Sequence, residues 1–285
     1  LADDLKDLER RLGNILVGYT SNKEAVFAKD LNVIGSMVVL LKDAIKPNII
    51  QSLENNPVLV HGGPFGNIAH GCNTIIATKT ALKLSDYVVT EAGFGADLGA
   101  EKFLDIKCRK ANLSPDATVL VATIRALKTH GGVDKENLNK ENVEAVKKGS
   151  ENLLKHIENL KKYGVPIIVG INAFVSDTED EMNVVKKVCE KVGIKAVTSK
   201  HWEFGGEGAV DLANEVVDTL EKTKSNFKTL YEDNLSLEDK IKKVANEIYG
   251  AKELEISTTA KKQLKELEGS KYEKFPVCIA KTQYS

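Results

Sequence analysis

The stretch Val165-Pro-Ile-Ile-Val-Gly-Ile-Asn-Ala-Phe-Val-Ser-Asp177 decides the fold of this chain. Its first half is a short apolar run of the length expected for a strand buried in a sheet. Its second half is more polar and leads into an amphipathic helical pattern at residues 178–192. A short buried strand followed by such a helix is the repeating unit of a parallel sheet.

The same alternation runs along most of the chain. Further strand-like runs lie at residues 57–61, 87–91, 118–123, 194–197 and 276–280, and helical patterns lie at 36–53, 68–84, 99–108, 140–163 and 208–222. We therefore predict an α/β protein with mostly parallel sheets flanked by helices, arranged in two αβ lobes. Sheets of this kind bind ligands beyond the carboxyl ends of their strands.

Composition narrows the class of function. The 285 residues are 42% hydrophobic and 28% charged, enough for a sizeable core in one large or two medium domains. The formal net charge is −1, which argues against a dedicated nucleic-acid surface. No apolar run reaches the roughly 18 residues that span a bilayer, and no signal peptide is evident. We expect a cytoplasmic protein whose partners are small molecules, with no nucleic acid and no membrane.

The cysteines favour reduced thiols over a metal site. The four of them lie far apart and form no C-x-x-C pair: Cys72, Cys108, Cys189 and Cys278. That spacing argues against a zinc cluster, and we expect no bound metal on these residues.

Both ends of the sequence indicate an internal fragment of a longer protein. The chain begins without Met inside an amphipathic pattern and stops just after the strand-like run at 276–280. The polar, glycine-bearing segment 129–140 is the best candidate for a domain junction. We predict a tail of a preceding domain at 1–30, part of one domain at 31–150 and an αβ domain, incomplete at its C-terminus, at 151–285.

The first glycine-rich turn is His61-Gly-Gly-Pro-Phe-Gly-Asn-Ile-Ala-His-Gly71. Glycines let the backbone approach a ligand, and a helix beginning near Asn67 or Ile68 would aim N–H groups at an anion. The candidate site residues are His61, Gly62, Gly63, Pro64 and Asn67. The alternative is a tight strand-to-helix turn with a structural histidine.

The second glycine-rich turn is Gly93-Phe-Gly-Ala-Asp-Leu-Gly99, after the run at 87–91. Its glycine spacing is not that of a dinucleotide fold, so the signal is weak on its own. The candidate phosphate or nucleotide residues are Gly93, Phe94, Gly95, Ala96, Asp97 and Gly99. Glu91 and Asp97 are acidic and would repel a phosphate. A phosphate bound here would therefore need a cation between itself and these carboxylates. The alternative is a loop that packs against the first turn.

Two aromatic residues follow successive predicted strands. Phe174 lies after the strand at 165–171, and Trp202 lies in a glycine-rich segment after the strand at 194–197. Successive strands of a βαβ unit usually lie side by side, so both residues should reach one sheet edge and could clamp a flat ring. Asn172 and Asp177 could read the edge of a heterocycle or hold the turn. The alternative is that each aromatic covers a local apolar patch.

Three common catalytic patterns are missing from the sequence. It has no G-x-x-x-x-G-K-[ST] phosphate loop, no G-x-S-x-G nucleophile elbow and no H-E-x-x-H zinc motif. The chain as it stands therefore lacks the usual means of holding ATP phosphates.

Taken together, these turns resemble the formate–tetrahydrofolate ligase family, also called formyltetrahydrofolate synthetase. The segments that carry the resemblance run almost from end to end of the chain: residues 8–19, 41–48, 61–71, 86–102, 103–109, 125–128, 130–132, 202, 205–208 and 276–285. The combination is far more specific than any single glycine pattern.

The resemblance implies a P-loop NTPase-like fold and a two-step reaction. ATP activates formate to formyl phosphate, and the N10 amine of tetrahydrofolate then attacks the formyl carbon. Mg²⁺ serves ATP, a monovalent cation such as K⁺ or NH₄⁺ promotes activity, and the family is cytosolic and typically homotetrameric. Its phosphate loop and a catalytic Arg precede the part that matches this chain. We therefore assign no catalytic residue here and expect the isolated chain to be inactive.

The resemblance also suggests roles for the candidate residues. Phe174 and Trp202 match the aromatic pair that sandwiches the pterin ring, and the loop Gly93–Gly99 matches backbone near the transferring group and the nucleotide. Residues 31–150 would then belong to the nucleotide and formyl-phosphate domain, and 151–285 to the folate-binding domain. The sequence departs from the family at Val175, often proline, and at Ser176, often threonine. We expect Val175 to loosen the turn that presents Phe174.

Two other classes of function stay open at this point. The chain could belong to a non-catalytic homologue that acts as a folate-binding or assembly subunit. It could also be a complete P-loop-like nucleotidase, which the missing phosphate loop disfavours.

Overall fold

The computed structural model describes residues 1–62 and 69–280. The turn residues Gly63, Pro64 and Asn67 lie outside the described residues. The chain divides into two compact units, the first formed by residues 1–68 and 72–91 and the second by residues 69–71 and 92–285.

The described residues of the first unit form three helices and two small antiparallel sheets. Its elements are α1 (Leu5–Gly13), β1 (Leu16–Tyr19), β2 (Ala25–Phe27), a 3₁₀ turn (Ala28–Leu31), α2 (Ile34–Leu41), β3 (Asn48–Gln51), β4 (Pro57–Val60) and α3 (Ile75–Leu84). Strand β1 pairs with β2, and β3 pairs with β4.

The long helix predicted over residues 36–53 is wrong in its second half. Helix α2 ends at Leu41, and residues 48–51 form β3 instead. Pro47 explains the difference, because proline has no N–H to donate and its ring disfavours helical backbone at the preceding residue. The strand predicted at 57–61 is present as β4, but it forms an antiparallel hairpin whose turn places Asn55 at φ 61°.

The strand predicted at residues 87–91 is also wrong, since these residues belong to no strand. Tyr87 and Val89 are exposed, and a strand is stable only when it pairs with others and covers a core. Helix α3 begins at Ile75, later than the predicted start near residue 68, and the Thr74 side chain caps it by accepting from the Ala77 N–H.

The second unit holds the larger sheet. Its elements are α4 (Arg109–Ala111), β5 (Thr118–Ala122), α5 (Ile124–His130), α6 (Val143–Lys161), β6 (Ile167–Asn172), α7 (Glu179–Lys191), β7 (Lys195–Ser199), α8 (His201–Phe204), α9 (Val210–Lys222), α10 (Leu237–Glu247) and α11 (Thr258–Leu267). The helical pattern predicted at 99–108 forms two wide π-helical turns, Ala96–Ala100 and Phe103–Cys108, which run into α4. Short 3₁₀ turns lie at Lys135–Asn137 and Gly205–Ala209.

Strands β5, β6 and β7 form a parallel three-stranded sheet with β6 in the middle. In this register Val169 lies opposite Leu120 on one side and Ala196 on the other. Val169 and Ile171 join a core with residues of α5, α6 and α7, while Gly170 lies against Leu212 of α9. Both faces of the central strand are therefore covered, as in parallel α/β sheets generally. The predicted α/β class, with a parallel sheet flanked by helices, is confirmed.

The strand predicted at residues 276–280 is wrong. These residues form no strand, and Val277 and Ile279 instead pack on a second apolar cluster that contains Tyr163 and Tyr231. The Val277 N–H donates to the Tyr231 hydroxyl at 3.2 Å. Side-chain packing and this hydrogen bond to Tyr231 take the place of the expected strand ladder.

The segment 129–140 links α5 to α6 inside the second unit. The domain boundaries expected at residues 30 and 150 remain predictions. Among the described residues, no helix is both long and apolar enough to cross a bilayer.

Candidate functional site

The structure brings Phe174 and Trp202 together at the carboxyl edge of the sheet. Phe174 follows β6 and Trp202 lies in α8, directly after β7. The centroids of their rings are 6.1 Å apart, and the ring planes are tilted by 54°. Trp202 is 64% exposed, and Phe174 is half-buried. Neither ring is a core residue, and the pair offers apolar faces at the edge where parallel sheets bind ligands.

The turn that presents Phe174 is closed by its own hydrogen bonds. Asp177 Oδ2 accepts from the Phe174 N–H at 2.9 Å, and the Asp177 N–H donates to the Phe174 carbonyl at 2.9 Å. The Ala173 N–H donates to the Ser199 carbonyl and ties the turn to β7. The Asp177 side chain thus closes this turn in the way that aspartate side chains commonly do.

The segment that presents Trp202 depends on two glycines. Gly205 ends α8 with φ 60°, a conformation that favours glycine. At Gly208, a Cβ atom would overlap the backbone of Lys200, and the Lys200 N–H donates to the Gly208 carbonyl at 2.8 Å. Ser199 Oγ and His201 Nδ1 are 2.8 Å apart and hold the start of the helix.

Three buried polar atoms at this edge have no hydrogen-bond partner among the residues that the structure describes. They are Asn172 Oδ1, Asp177 Oδ1 and Thr198 Oγ1. An unsatisfied buried acceptor is uncommon in a folded protein and costs stability. Burial raises the pKa of Asp177, although the Phe174 N–H and the cation of Lys128 act in the opposite direction.

A buried ion pair supports the start of α7 beside this turn. Lys128 Nζ and Glu181 Oε1 are 2.6 Å apart, and both side chains are fully buried. Lys128 also donates to the carbonyls of Leu138 and Lys140. Glu181 accepts from the N–H groups of Asn142 and Thr178. Sequence reasoning missed this pair, although Thr178-x-x-Glu181 is a capping-box pattern that signals the start of a helix.

The glycine loop Gly93–Gly99 lies elsewhere in the second unit. The Gly93 N–H donates to the Gly71 carbonyl, Phe94 is exposed with φ 65°, and Ala96 is buried. Asp97 Oδ1 is 4.0 Å from His156 Nδ1, and burial lowers the pKa of that histidine.

His156 lies thirteen residues along α6 from its start at Val143, a distance of about 20 Å at 1.5 Å per residue. The start of α6 is the end next to the Phe174 turn, because Asn142 bonds Glu181 there. The glycine loop and the aromatic pair are therefore at opposite ends of α6, and the structure does not bring them together.

In the first glycine-rich turn, His61 holds local structure. Its Nδ1 is 2.7 Å from Thr74 Oγ1, and its Nε2 donates to the Ala44 carbonyl at 2.6 Å. Gly62 has φ 80°, and a Cβ there would crowd the Thr74 side chain. These contacts favour the structural interpretation of this histidine.

The described residues contain no group of three or more His, Cys, Asp or Glu side chains that could hold a metal ion. Cys72, Cys108 and Cys189 are buried, whereas Cys278 is exposed.

Comparison with known proteins shows to which family the chain belongs. A sequence model described as formate–tetrahydrofolate ligase matches residues 1–285. The chain belongs to this family. It is 58% identical over 285 residues to the formate–tetrahydrofolate ligase of Pelagibacter ubique (strain HTCC1062) and 57% identical to that of Granulibacter bethesdensis (strain ATCC BAA-1260 / CGDNIH1).

These matches cover 100% of the chain and 51% and 50% of the two relatives. The chain therefore spans about half the length of the curated formate–tetrahydrofolate ligases that it matches.

Proposed function

We propose that the natural protein carrying this sequence ligates formate to tetrahydrofolate at the expense of ATP, giving 10-formyltetrahydrofolate, and that Phe174 and Trp202 bind the pterin ring. The family match and the names of the two relatives support the reaction. The observation in the structure that carries the proposal is the aromatic pair at the carboxyl edge of the sheet.

The geometry of the pair suits a flat ligand after a small rearrangement. A ring stacked between two aromatic faces needs about 3.5 Å on each side, so the faces must be roughly 7 Å apart and parallel. The present separation of 6.1 Å is close to this value, and the 54° tilt must decrease. Trp202 lies on a four-residue helix that ends at Gly205, and this short segment can supply the rotation. Each stacked face would contribute about 0.5–1.5 kcal/mol beyond its burial.

The chemistry we propose proceeds through formyl phosphate. ATP phosphorylates formate with release of ADP, and the N10 amine of tetrahydrofolate then attacks the formyl carbon and displaces phosphate. Formyl phosphate is anionic and easily hydrolysed, so its site needs backbone N–H donors and exclusion of water. No covalent nucleophile is required. We propose the loop Gly93–Gly99 as backbone near the nucleotide, and we place the remaining phosphate-binding groups in the part of the protein beyond this chain.

Several finer features belong to the same proposal. We infer a P-loop NTPase-like fold, a nucleotide and formyl-phosphate domain that includes residues 31–150, and a folate-binding domain that includes 151–285. We further propose a cytoplasmic homotetramer that uses Mg²⁺ with ATP and is promoted by K⁺ or NH₄⁺. Because the described residues offer no cluster of metal ligands, we assign no residue to these ions.

The test is formation of ADP and 10-formyltetrahydrofolate by the purified natural protein, each measured with formate, ATP or tetrahydrofolate omitted in turn. We expect all three to be required. A protein that binds tetrahydrofolate but forms no ADP would instead support the non-catalytic, folate-binding homologue. The 285-residue chain alone should show no activity, and formate-dependent ADP release by that chain would contradict our placement of the phosphate-binding groups.

A further inference from the structure

We propose that His156 is a positioning residue, which fixes the glycine loop Gly93–Gly99 beside the bound nucleotide by donating a hydrogen bond to the Asp97 carboxylate. This inference rests on the proposed function, since it takes the loop to lie near the nucleotide. It assigns a role to a histidine that neither the aromatic pair nor the proposed chemistry uses. It starts from the gap between this histidine and the loop.

His156 and Asp97 approach each other without forming a hydrogen bond. The His156 Nδ1 atom is 4.0 Å from Asp97 Oδ1. This nitrogen is buried and has no hydrogen-bond partner among the residues that the structure describes. A hydrogen bond between a nitrogen and an oxygen is about 2.7–3.2 Å long, so a shift of roughly 1 Å would form one. The unpaired nitrogen beside a carboxylate therefore indicates that the loop makes this hydrogen bond in a second position.

Gly95 makes the approach of the two side chains possible. It has φ −71° and ψ 161°, a backbone conformation open to any residue, so its backbone does not require glycine. A Cβ atom there would overlap Asp97 Oδ1 and would lie 3.5 Å from His156 Cε1. The carboxylate and the imidazole thus meet around the space that a larger residue would fill. The glycine serves the contact between Asp97 and His156.

Other contacts restrain the loop around this pair. The Tyr249 hydroxyl donates to the Asp97 carbonyl at 2.9 Å, and Ala96 is buried in the second apolar cluster. The main chain at Asp97 is therefore tied to the segment after α10, whereas its side chain faces His156 of α6. These restraints limit the loop to small movements, and closing the gap to His156 needs only a small one.

His156 is neutral near pH 7. Burial lowers its pKa below the usual value, and the neighbouring His130 acts in the same direction, whereas Asp97 acts in the opposite direction. Because a carboxylate only accepts hydrogen bonds, the pairing needs the tautomer of His156 that carries its proton on Nδ1. A neutral donor in this place is therefore sufficient. The side-chain amide of asparagine can supply such a donor.

The pairing suits an anionic ligand for two reasons. An unpaired Asp97 carboxylate would repel the phosphates of a nucleotide, and a hydrogen bond from His156 holds that carboxylate on the side of α6. A loop fixed before the reaction also keeps its backbone N–H groups aimed at the ligand, which lowers the cost of binding.

The experiment compares His156→Leu, which removes the donor, with His156→Asn, which keeps a neutral one, in the natural protein. We expect His156→Leu to raise the KM for ATP about fivefold, as the loss of one hydrogen bond does, and to leave the KM for tetrahydrofolate near the wild-type value. His156→Asn should restore most of the KM for ATP. Gly95→Ala, whose Cβ would separate the pair, should raise the KM for ATP as His156→Leu does.

Glu151→Gln is the matched control, because Glu151 is exposed on the same helix. It should keep both KM values near those of the wild type. An unchanged KM for ATP in His156→Leu and Gly95→Ala would overturn the inference. Equal changes in both KM values, or no recovery in His156→Asn, would also overturn it, because a merely structural role of the histidine would give these results.

Hydrogen exchange gives a readout that does not depend on turnover. We expect ADP with Mg²⁺ to slow the exchange of the amides in Gly93–Gly99 in the wild type and in His156→Asn, and to slow it much less in His156→Leu. If ADP binds to the wild type but leaves this exchange unchanged, the inference is wrong and the ligase function stands. If the wild type neither binds ADP nor forms 10-formyltetrahydrofolate, the proposed function falls and this inference falls with it.

Discussion

Different local interactions position the rings of Phe174 and Trp202. A carboxylate closes the turn at Phe174, whereas glycines shape the segment at Trp202. Single residues therefore decide where each ring lies, and substitutions at the rings can test the proposed site without disturbing the sheet below.

In the natural protein, Trp202→Ala should raise the KM for tetrahydrofolate at least about tenfold, because it removes one stacking face and its burial. The KM for ATP should change little, since we place the ATP phosphates elsewhere. Phe174→Ala should behave alike, and the double variant should be less than additive because both rings contact one ligand. Initial-rate kinetics with each substrate varied measure these effects.

Phe204→Ala is the control for that series, since Phe204 lies on the same short helix and is exposed but outside the ring pair. It should keep a KM for tetrahydrofolate near the wild-type value. An unchanged KM in Trp202→Ala would instead favour the interpretation in which each aromatic covers a local apolar patch.

At the scale of secondary-structure elements, α5 and α6 cross at close range through glycine. A Cβ at Gly149 of α6 would overlap the Leu127 carbonyl of α5, and a Cβ at Gly131 would overlap the Ala145 carbonyl. The two helices can therefore approach only where side chains are absent.

Gly149→Ala should destabilise the chain by about 1–3 kcal/mol, the cost of overpacking. The usual effect of this replacement on stability is the opposite, since alanine within a helix is ordinarily about 1 kcal/mol more stabilising than glycine. Gly35→Ala in α2 is the control, because no neighbouring atom lies within 4 Å of a Cβ there. It should be neutral or slightly stabilising. Urea unfolding followed by circular dichroism measures both, and equal effects of the two variants would contradict the close crossing.

The buried pair Lys128–Glu181 joins the end of α5, the segment before α6 and the start of α7. Glu181→Ala should cost about 3–5 kcal/mol, because it leaves the Lys128 cation buried with only carbonyls as partners. Glu179→Ala, in the same helical turn but exposed, should stay within about 0.5 kcal/mol of the wild type.

The pair also permits a second comparison. Replacing both partners together, as in Lys128→Met with Glu181→Leu, should cost less than the sum of the single variants, since no unpaired charge remains. Additive losses in urea unfolding would show that the two side chains stabilise the fold independently.

At the scale of the whole second unit, two acids lie inside the apolar cluster around Tyr163. Asp105 accepts from the Leu230 N–H at 2.7 Å and from the Tyr163 hydroxyl at 2.8 Å. Glu101 precedes it by four residues and is fully buried. Burial, with the neighbouring Asp105 carboxyl, raises the pKa of Glu101 to about 9, and burial raises the pKa of Asp105 to about 6.

The free energy of unfolding should therefore fall as the pH rises from about 5 to 9. In that range the folded chain keeps a proton on Glu101 that the unfolded chain, with a pKa near 4.5, has released. Stability then decreases by up to about 1.4 kcal/mol per pH unit for one proton. Glu101→Gln should flatten this dependence, whereas the exposed Glu158→Gln should not. Urea unfolding at several pH values is the measurement, and parallel curves for wild type and Glu101→Gln would contradict the assignment.

Strands β5, β6 and β7 and the helices between them were predictable because their signals are local. The apolar run at 165–171 reads as a buried strand whatever surrounds it, and the caps Thr178 and Glu181 mark the start of α7. The positions of Phe174 and Trp202 at one edge followed from the rule that successive parallel strands are neighbours. The family, too, was recognisable from residue order alone.

The sequence by itself determined the features that depend on residues close together in the chain. These are the hydrophobic periodicity, the helix caps, the glycine turns and the helix break at Pro47. Only the tertiary structure decided which runs become strands, because a strand forms when a partner pairs with it, and residues 87–91 and 276–280 have none among the described residues. The same holds for the Lys128–Glu181 pair and for the separation of the glycine loop from the aromatic pair. These features depend on contacts between residues far apart in the chain, and local sequence carries no signal for such contacts.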